Sequence, residues 1–269
     1  LVPEDKEVIR ELVQEGKLII GPWYTQTDQM VISGESIVRN LLYGINISKK
    51  FGKHMNVGYV PDSFGQSAAM PQIYKEFGID DTLFWRGVSD EDTHKTEFKW
   101  RGEDGSTVNA YQIQAGYYIG GDIPEEAENL KNYLHNEPFK SLWERSSTNQ
   151  VLFPNGFDQA PARENLTDIL GKMQKFYAGE YEFKISTYSD YIRKVKEQHP
   201  ELEEIAGELL NGKLMRIHKS IYSSRSDLKK LNTQVQNYIV NILEPLLSLS
   251  QSLGFDYPVE VVKEIWKLM

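Results

Sequence analysis

Residues 56–66 read N-V-G-Y-V-P-D-S-F-G-Q, an apolar run that ends in a turn carrying one carboxylate, Asp62. Residues 56–60 predict a buried strand, because β-branched and aromatic side chains favour strands. Pro61 and Gly65 predict a turn directly after that strand. An aspartate in such a turn either hydrogen-bonds its own backbone or is presented at the edge of a sheet for chemistry. The first role is common, so the rest of the chain must support the second.

The same unit recurs along the chain, as a short apolar run, a polar loop and a segment with helical periodicity. This alternation predicts the α/β class, with a parallel sheet or barrel. Further strands are predicted at 17–20, 81–85, 150–154 and 183–187, with an inserted β-hairpin at 97–112. Helices are predicted at 4–15, 68–77 and 166–176, after residue 187, and around Ile37, Val38, Leu41, Leu42 and Ile45.

The pattern changes after Gly207, where long helical segments replace the alternation. Ser226 and Asp227 begin a helix that Pro245 must kink or end, because proline removes a helical hydrogen bond. We therefore predict an α/β domain over residues 1–210 and a helical domain over 211–269, with the boundary between 205 and 220.

Composition excludes several classes of function. The chain has 269 residues and a formal net charge of −9, with scattered basic residues, which argues against a nucleic-acid partner. It has no cysteine, so disulfides and thiolate metal sites are excluded. No apolar run approaches the roughly 18 residues of a membrane span, and we expect a cytoplasmic protein. Since the chain starts with Leu1 and ends inside a helical pattern, we expect a piece of a larger protein.

Side chains that follow parallel strands meet at one edge of the sheet, even when they are distant in sequence. If Asp62 and Asp158 face each other about 5 to 5.5 Å apart, they suit retaining glycoside hydrolysis, with one acid as nucleophile and the other as acid and base. Arg86 would then bind sugar hydroxyls or balance the nucleophile's charge. The predicted strand exits offer Trp23 with Asp28, Asp62, Arg86, Asp158 and Tyr188.

Each of these residues also has a structural explanation. Asp62 and Asp158 can stabilise turns, Arg86 can be an ion-pair partner, and Trp23 can belong to the core. A metal-dependent carbohydrate deacetylase is an alternative, although it needs clustered histidines. A non-catalytic sugar-binding module is another. The histidines show neither H-x-H nor H-x-x-x-H spacing: His54, His94, His135, His199 and His218.

Longer strings of the sequence resemble the bacterial branch of glycoside hydrolase family 38, the α-mannosidases. The strings are G-P-W-Y-T-Q-T-D-Q, G-Y-V-P-D-S-F-G-Q, F-W-R-G-V, F-P-N-G-F-D-Q and M-R-I-H-K-S-I-Y-S-S-R. The resemblance implies a seven-stranded β/α barrel, here without its first strand, followed by the start of a three-helix bundle. It implies retaining hydrolysis of terminal α-linked mannose on oligosaccharides or mannosylated small molecules.

The resemblance also implies roles for individual residues. Asp62 would be both nucleophile and zinc ligand, and Asp158 the acid and base. Arg86, Trp23 and Tyr117 would contact the substrate. The family's other zinc ligands lie in sequence blocks that these 269 residues lack, so we expect this chain alone to be inactive. The sequence leaves the oligomeric state open, a homo-oligomer included.

Overall fold

The computed structural model of the protein describes residues 5–269, and its sheet and helices confirm the α/β class. The helix predicted at 4–15 is observed from Asp5, and Glu4 lies outside the described residues. The strands are β1 (Gly58–Val60), β2 (Asp81–Phe84), β3 (Glu97–Arg101), β4 (Thr107–Gln112) and β5 (Glu204–Ala206). The helices are α1 (Asp5–Gln14), α2 (Gly34–Lys49), α3 (Met70–Glu76), α4 (Ala127–Tyr133), α5 (Phe139–Arg145), α6 (Leu166–Phe176), α7 (Tyr188–Lys196), α8 (Ser226–Tyr238), α9 (Glu244–Ser252) and α10 (Val259–Leu268).

Five strands form one mixed sheet in the order β1-β2-β4-β3-β5. The pairs β1–β2, β2–β4 and β3–β5 are parallel. β3 and β4 are antiparallel and confirm the predicted hairpin. The carboxyl ends of β1, β2 and β4 therefore lie side by side at one edge. The seven-stranded barrel and the three-helix bundle remain predictions.

Helix α2 covers one face of the sheet because its apolar residues recur at helical spacing. Ser33 caps it by accepting a hydrogen bond from the Ser36 backbone N–H. Ile37 and Leu41 are buried in the main core with residues of β1, β2 and β4. This packing supports the strands whose ends carry the candidate site.

Three of the predicted strands are wrong. Residues 17–20, 150–154 and 183–187 form no strand in the described chain. Their apolar side chains do pack, as Phe153 and Phe183 do against the second core cluster, but their backbones lack a sheet neighbour. Ile185, two positions after Phe183 in the last of these segments, is 64% exposed. Apolar patterning reports burial and does not specify a backbone partner, which is why these segments looked like strands.

The C-terminal part is helical, as predicted. α8 ends at Tyr238, a π-helical turn covers Ile239–Leu243, and α9 begins at Glu244 with Pro245 in its first turn. The helix predicted to kink or end at Pro245 therefore changes just before it, at residues 239–243, and Pro245 lies in the first turn of the next helix. No helix within residues 5–269 combines the length and the apolar character needed to cross a membrane.

Candidate active site

Asp62 and Arg86 meet because β1 and β2 are in register. Val60 pairs with Phe84, so the residues two positions beyond each strand lie opposite each other. The Arg86 Nε donates a hydrogen bond to Asp62 Oδ1 at 2.6 Å. The Asp62 side chain is 46% exposed and that of Arg86 only 10%, so the carboxylate faces the open side of the pair.

Arg86 is held in place from several directions. It donates a second hydrogen bond to the backbone carbonyl of Arg216 at 2.7 Å. Its guanidinium lies 4.3 Å from the ring centroid of Trp85 and 4.9 Å from that of Phe64. Cation–π contacts of this kind are strongest where the cation is shielded from water. The arginine is therefore a fixed positive charge beside Asp62.

Tyr117 contacts Asp158, the second carboxylate of the predicted pair. It follows β4, the parallel neighbour of β2, and its hydroxyl donates to Asp158 Oδ2 at 3.1 Å. Burial, the negative charge of Asp62 and the hydrogen bond to Asp158 together raise the pKa of Tyr117 to about 12. Asp62 and Asp158 thus act on the same phenol, from two distant parts of the chain.

Asp28 belongs to the same group of charges. Its Oδ1 accepts a hydrogen bond from the Phe64 backbone N–H at 3.1 Å, within the turn that carries Asp62. Burial raises the pKa of Asp28, and the nearby charge of Asp62 raises it as well. The turn that carries Asp62 is therefore bound by a second acid, Asp28, and by Arg86.

The sequence profile described as "Glycosyl hydrolases family 38 N-terminal domain" matches residues 2–215, most of the chain. The chain belongs to glycoside hydrolase family 38.

Relatives with related names support this assignment. A protein of Halalkalibacterium halodurans, named provisionally as a mannosylglycerate hydrolase, is 33% identical over 99% of this chain and 31% of its own length. Alpha-mannosidase G of Dictyostelium discoideum is 30% identical over 86% of this chain and 20% of its own. The crystal structure of an alpha-mannosidase from Enterococcus faecalis V583 superimposes on this chain with a TM-score of 0.90 and 33% identity. The match covers 98% of this chain and 30% of the Enterococcus faecalis chain. The chain thus spans less than a third of the length of these relatives.

Within this family 38 chain, the structure places Trp23 in the main core. It is 8% exposed and packs in the main core, edge-on to Tyr74 at 6.2 Å. Its indole Nε1 is buried without a hydrogen-bond partner among the described residues. The substrate role of Trp23 stays a prediction, and its observed contacts are those of a core residue.

The described residues do not by themselves fit a zinc ion. Structural and catalytic zinc sites use three or four protein donors. Across residues 5–269, no group of three or more His, Cys, Asp or Glu side chains is arranged to hold a metal. His218 is exposed and packs edge-on to the Phe64 ring at 5.0 Å. Asp62 as a metal ligand therefore remains a prediction that needs further donors.

Sequence reasoning missed the contacts that residues 209–222 make with Phe64 and Arg86. The Tyr222 hydroxyl donates to the Phe64 carbonyl, and Arg86 binds the carbonyl of Arg216. Tyr222 and Phe64 are 158 positions apart, so no local pattern could reveal this contact. Only the block M-R-I-H-K-S-I-Y-S-S-R, found by resemblance, drew attention to this segment.

Proposed function

We propose that this chain is the catalytic part of a retaining, zinc-dependent α-mannosidase. The supporting observation is that Tyr117 touches Asp158 while the charge of Asp62 acts on the same hydroxyl. A retaining glycosidase needs two carboxyl groups on either side of one bond. The family assignment supports mannose as the sugar, since the relatives named above are called α-mannosidases or a mannosylglycerate hydrolase.

The two acids have different surroundings, as the mechanism requires. A positive charge 2.6 Å from Asp62 suits a carboxylate that must stay negative until it attacks. Asp158 instead contacts the neutral hydroxyl of Tyr117, which suits a group that gives and takes a proton. We therefore assign Asp62 as nucleophile and Asp158 as general acid and base.

In the first step, an Asp62 oxygen attacks the anomeric carbon of mannose. The bond from that carbon to the glycosidic oxygen breaks, and Asp158 gives its proton to the departing oxygen. In the second step, Asp158 takes a proton from water, and the water oxygen displaces Asp62 from the anomeric carbon. Two inversions give mannose with its original configuration. Arg86 holds Asp62 Oδ1, which leaves Oδ2 for the attack.

Substrate contacts follow from the same geometry. Arg86 and Tyr117 lie beside the two acids and can hydrogen-bond sugar hydroxyls, and Trp23 completes the proposed substrate set. Terminal α-mannose on oligosaccharides and on small mannosylated molecules both fit this proposal. A cytoplasmic location is part of the same prediction.

Zinc dependence belongs to the proposal for the complete enzyme, with Asp62 as one ligand. The other donors must come from outside the described residues, because none of these forms a metal cluster with it. We expect a polypeptide of the relatives' length to lose activity on dialysis against a chelator and to regain it with zinc. Full activity after metal removal would contradict the zinc proposal.

The test of function uses such a longer polypeptide and an aryl α-mannoside. We expect NMR to show α-mannose as the first product, and Asp62→Asn to reduce turnover to background because the amide is a poor nucleophile. Asp104→Asn is the matched control, since Asp104 lies in the β3–β4 turn bound to Ser106. β-Mannose as the first product, or undiminished turnover in Asp62→Asn, would refute the assignment.

A further inference from the structure

The turn that carries Asp62 is held from a segment almost 150 residues further along the chain. We define the Asp62 turn as residues 62–66 and the strap as residues 209–222, which runs from just beyond β5 to just before α8. Gln66 and Leu209 exchange two backbone hydrogen bonds at 3.0 Å each. The strap therefore joins the end of the Asp62 turn as a short antiparallel bridge.

The two chains approach closely in the middle of the turn. Gly65 has φ +111°, and a Cβ there would lie 2.4 Å from Leu210 Cδ2 and 3.4 Å from the Tyr222 hydroxyl. Only glycine allows both this backbone conformation and this contact. The strap thus packs directly on the backbone of the turn.

Phe64, in the Asp62 turn, is held by contacts from several parts of the chain. Its backbone N–H donates to Asp28, and its carbonyl accepts from the Tyr222 hydroxyl. Its ring contacts His218 of the strap at 5.0 Å and the Arg86 guanidinium at 4.9 Å. Side chains therefore bind both the backbone N–H and the backbone carbonyl of Phe64, the residue two positions after Asp62.

We propose that Tyr222 is a positioning residue that sets the attack geometry of Asp62 by holding the Phe64 carbonyl. Its hydroxyl bonds the Phe64 carbonyl and not the Asp62 carboxylate, so it acts through the turn. A nucleophile must be placed within a fraction of an ångström of its line of attack, and a displacement of about 1 Å can cost on the order of 100-fold in rate. The hydroxyl of Tyr222 restricts this displacement. The inference rests on the proposed nucleophilic role of Asp62.

The kinetic test compares Tyr222→Phe with Tyr177→Phe in the longer polypeptide. Tyr177 is the matched control, because its hydroxyl also donates to a backbone carbonyl, that of Leu130 at 2.7 Å, in the second core cluster. Tyr222→Phe loses the bond to the Phe64 carbonyl. Tyr177→Phe loses the bond to Leu130 and also the one that its hydroxyl accepts from the Leu134 backbone N–H, so the control disturbs the fold at least as much. We expect Tyr222→Phe to lower kcat about tenfold with KM unchanged, and Tyr177→Phe to leave kcat unchanged.

A kcat for Tyr222→Phe within twofold of the wild-type value would overturn the inference, as would a rise in KM alone. If the wild-type polypeptide hydrolyses no α-mannoside, the proposed function fails, and that result says nothing about the strap.

A second measurement on the 269-residue chain is independent of activity. Amide hydrogen exchange at Phe64 reports how firmly the turn is held. We expect exchange there to be faster by about tenfold in Tyr222→Phe and unchanged in Tyr177→Phe, because about 1 kcal/mol corresponds to a factor of five to ten. Equal exchange at Phe64 in Tyr222→Phe and the wild type would overturn the role of the strap.

Discussion

The candidate site contains several charged side chains around the Asp62 turn. Asp62 is paired with Arg86, while Asp28 is half-buried and accepts a hydrogen bond from the Phe64 backbone N–H. Burial and the charge of Asp62 both raise the pKa of Asp28, so the folded state favours its neutral form. The protein therefore keeps a carboxyl group where its negative charge costs stability.

Replacing Asp28 by Asn tests this cost. With a raised pKa, the folded state binds the proton more tightly than the unfolded chain, so the wild type loses stability as pH rises through that window. Asn keeps the oxygen that accepts from Phe64 and carries no charge. We expect urea unfolding to show Asp28→Asn more stable than the wild type at neutral pH, with the difference narrowing toward about pH 4. A difference that is constant with pH would contradict the charge effect.

At the residue scale, the site was predictable where neighbouring strands brought residues together. Asp62 and Arg86 follow adjacent parallel strands, and strand exits were enough to place them in one group. Tyr117 came from the family resemblance, and its link to Asp158 required the structure. Tyr222 was not predictable, because a contact across 158 positions leaves no periodic or local pattern.

Among the elements, α2 illustrates how a glycine can serve packing rather than flexibility. A Cβ on Gly44 would lie 2.1 Å from the Pro22 carbonyl oxygen and 2.3 Å from the Tyr24 nitrogen. The helix therefore lies directly on the backbone of residues 22–24, the loop that leads to Asp28. Alanine cannot be accommodated there without moving the loop or the helix.

Two Gly→Ala substitutions in helices should have opposite effects. Gly171 lies inside α6 with no atom within 4 Å of its would-be Cβ, so Gly171→Ala should stabilise by about 1 kcal/mol through helix propensity. Gly44→Ala should destabilise by about 2 kcal/mol or more, because overpacking outweighs propensity. Urea unfolding of the 269-residue chain measures both. Stabilisation by Gly44→Ala would contradict the observed packing.

The strength of the local sequence pattern decided which helices and strands could be predicted. α6 was predicted at its observed bounds, and the β3–β4 hairpin at its observed position, because their periodicity is strong and local. β5 was missed, since three residues at the sheet edge carry little pattern. The segments at 150–154 and 183–187 were wrongly taken as strands because apolar packing alone resembles a strand.

At the scale of the whole molecule, the C-terminal helices contact α2, the helix that covers one face of the sheet. Arg39 of α2 forms an ion pair with Glu244 of α9 at 2.8 Å, and the Trp266 indole donates to the same carboxylate at 3.0 Å. The strap adds contacts at the Asp62 turn. The division into domains at 1–210 and 211–269 remains a prediction.

The central claim is that Asp62 forms the covalent bond to mannose. A fluorinated mannosyl fluoride tests it, because fluoride leaves readily and the ring fluorine slows hydrolysis of the glycosyl ester. After incubation with the longer polypeptide, mass spectrometry of peptides locates the added sugar. We predict the label on Asp62, in the peptide containing V-P-D-S-F-G-Q. A label on any other residue would contradict the assignment. Hydrolysis of an aryl α-mannoside with inverted configuration at the anomeric carbon would contradict it as well.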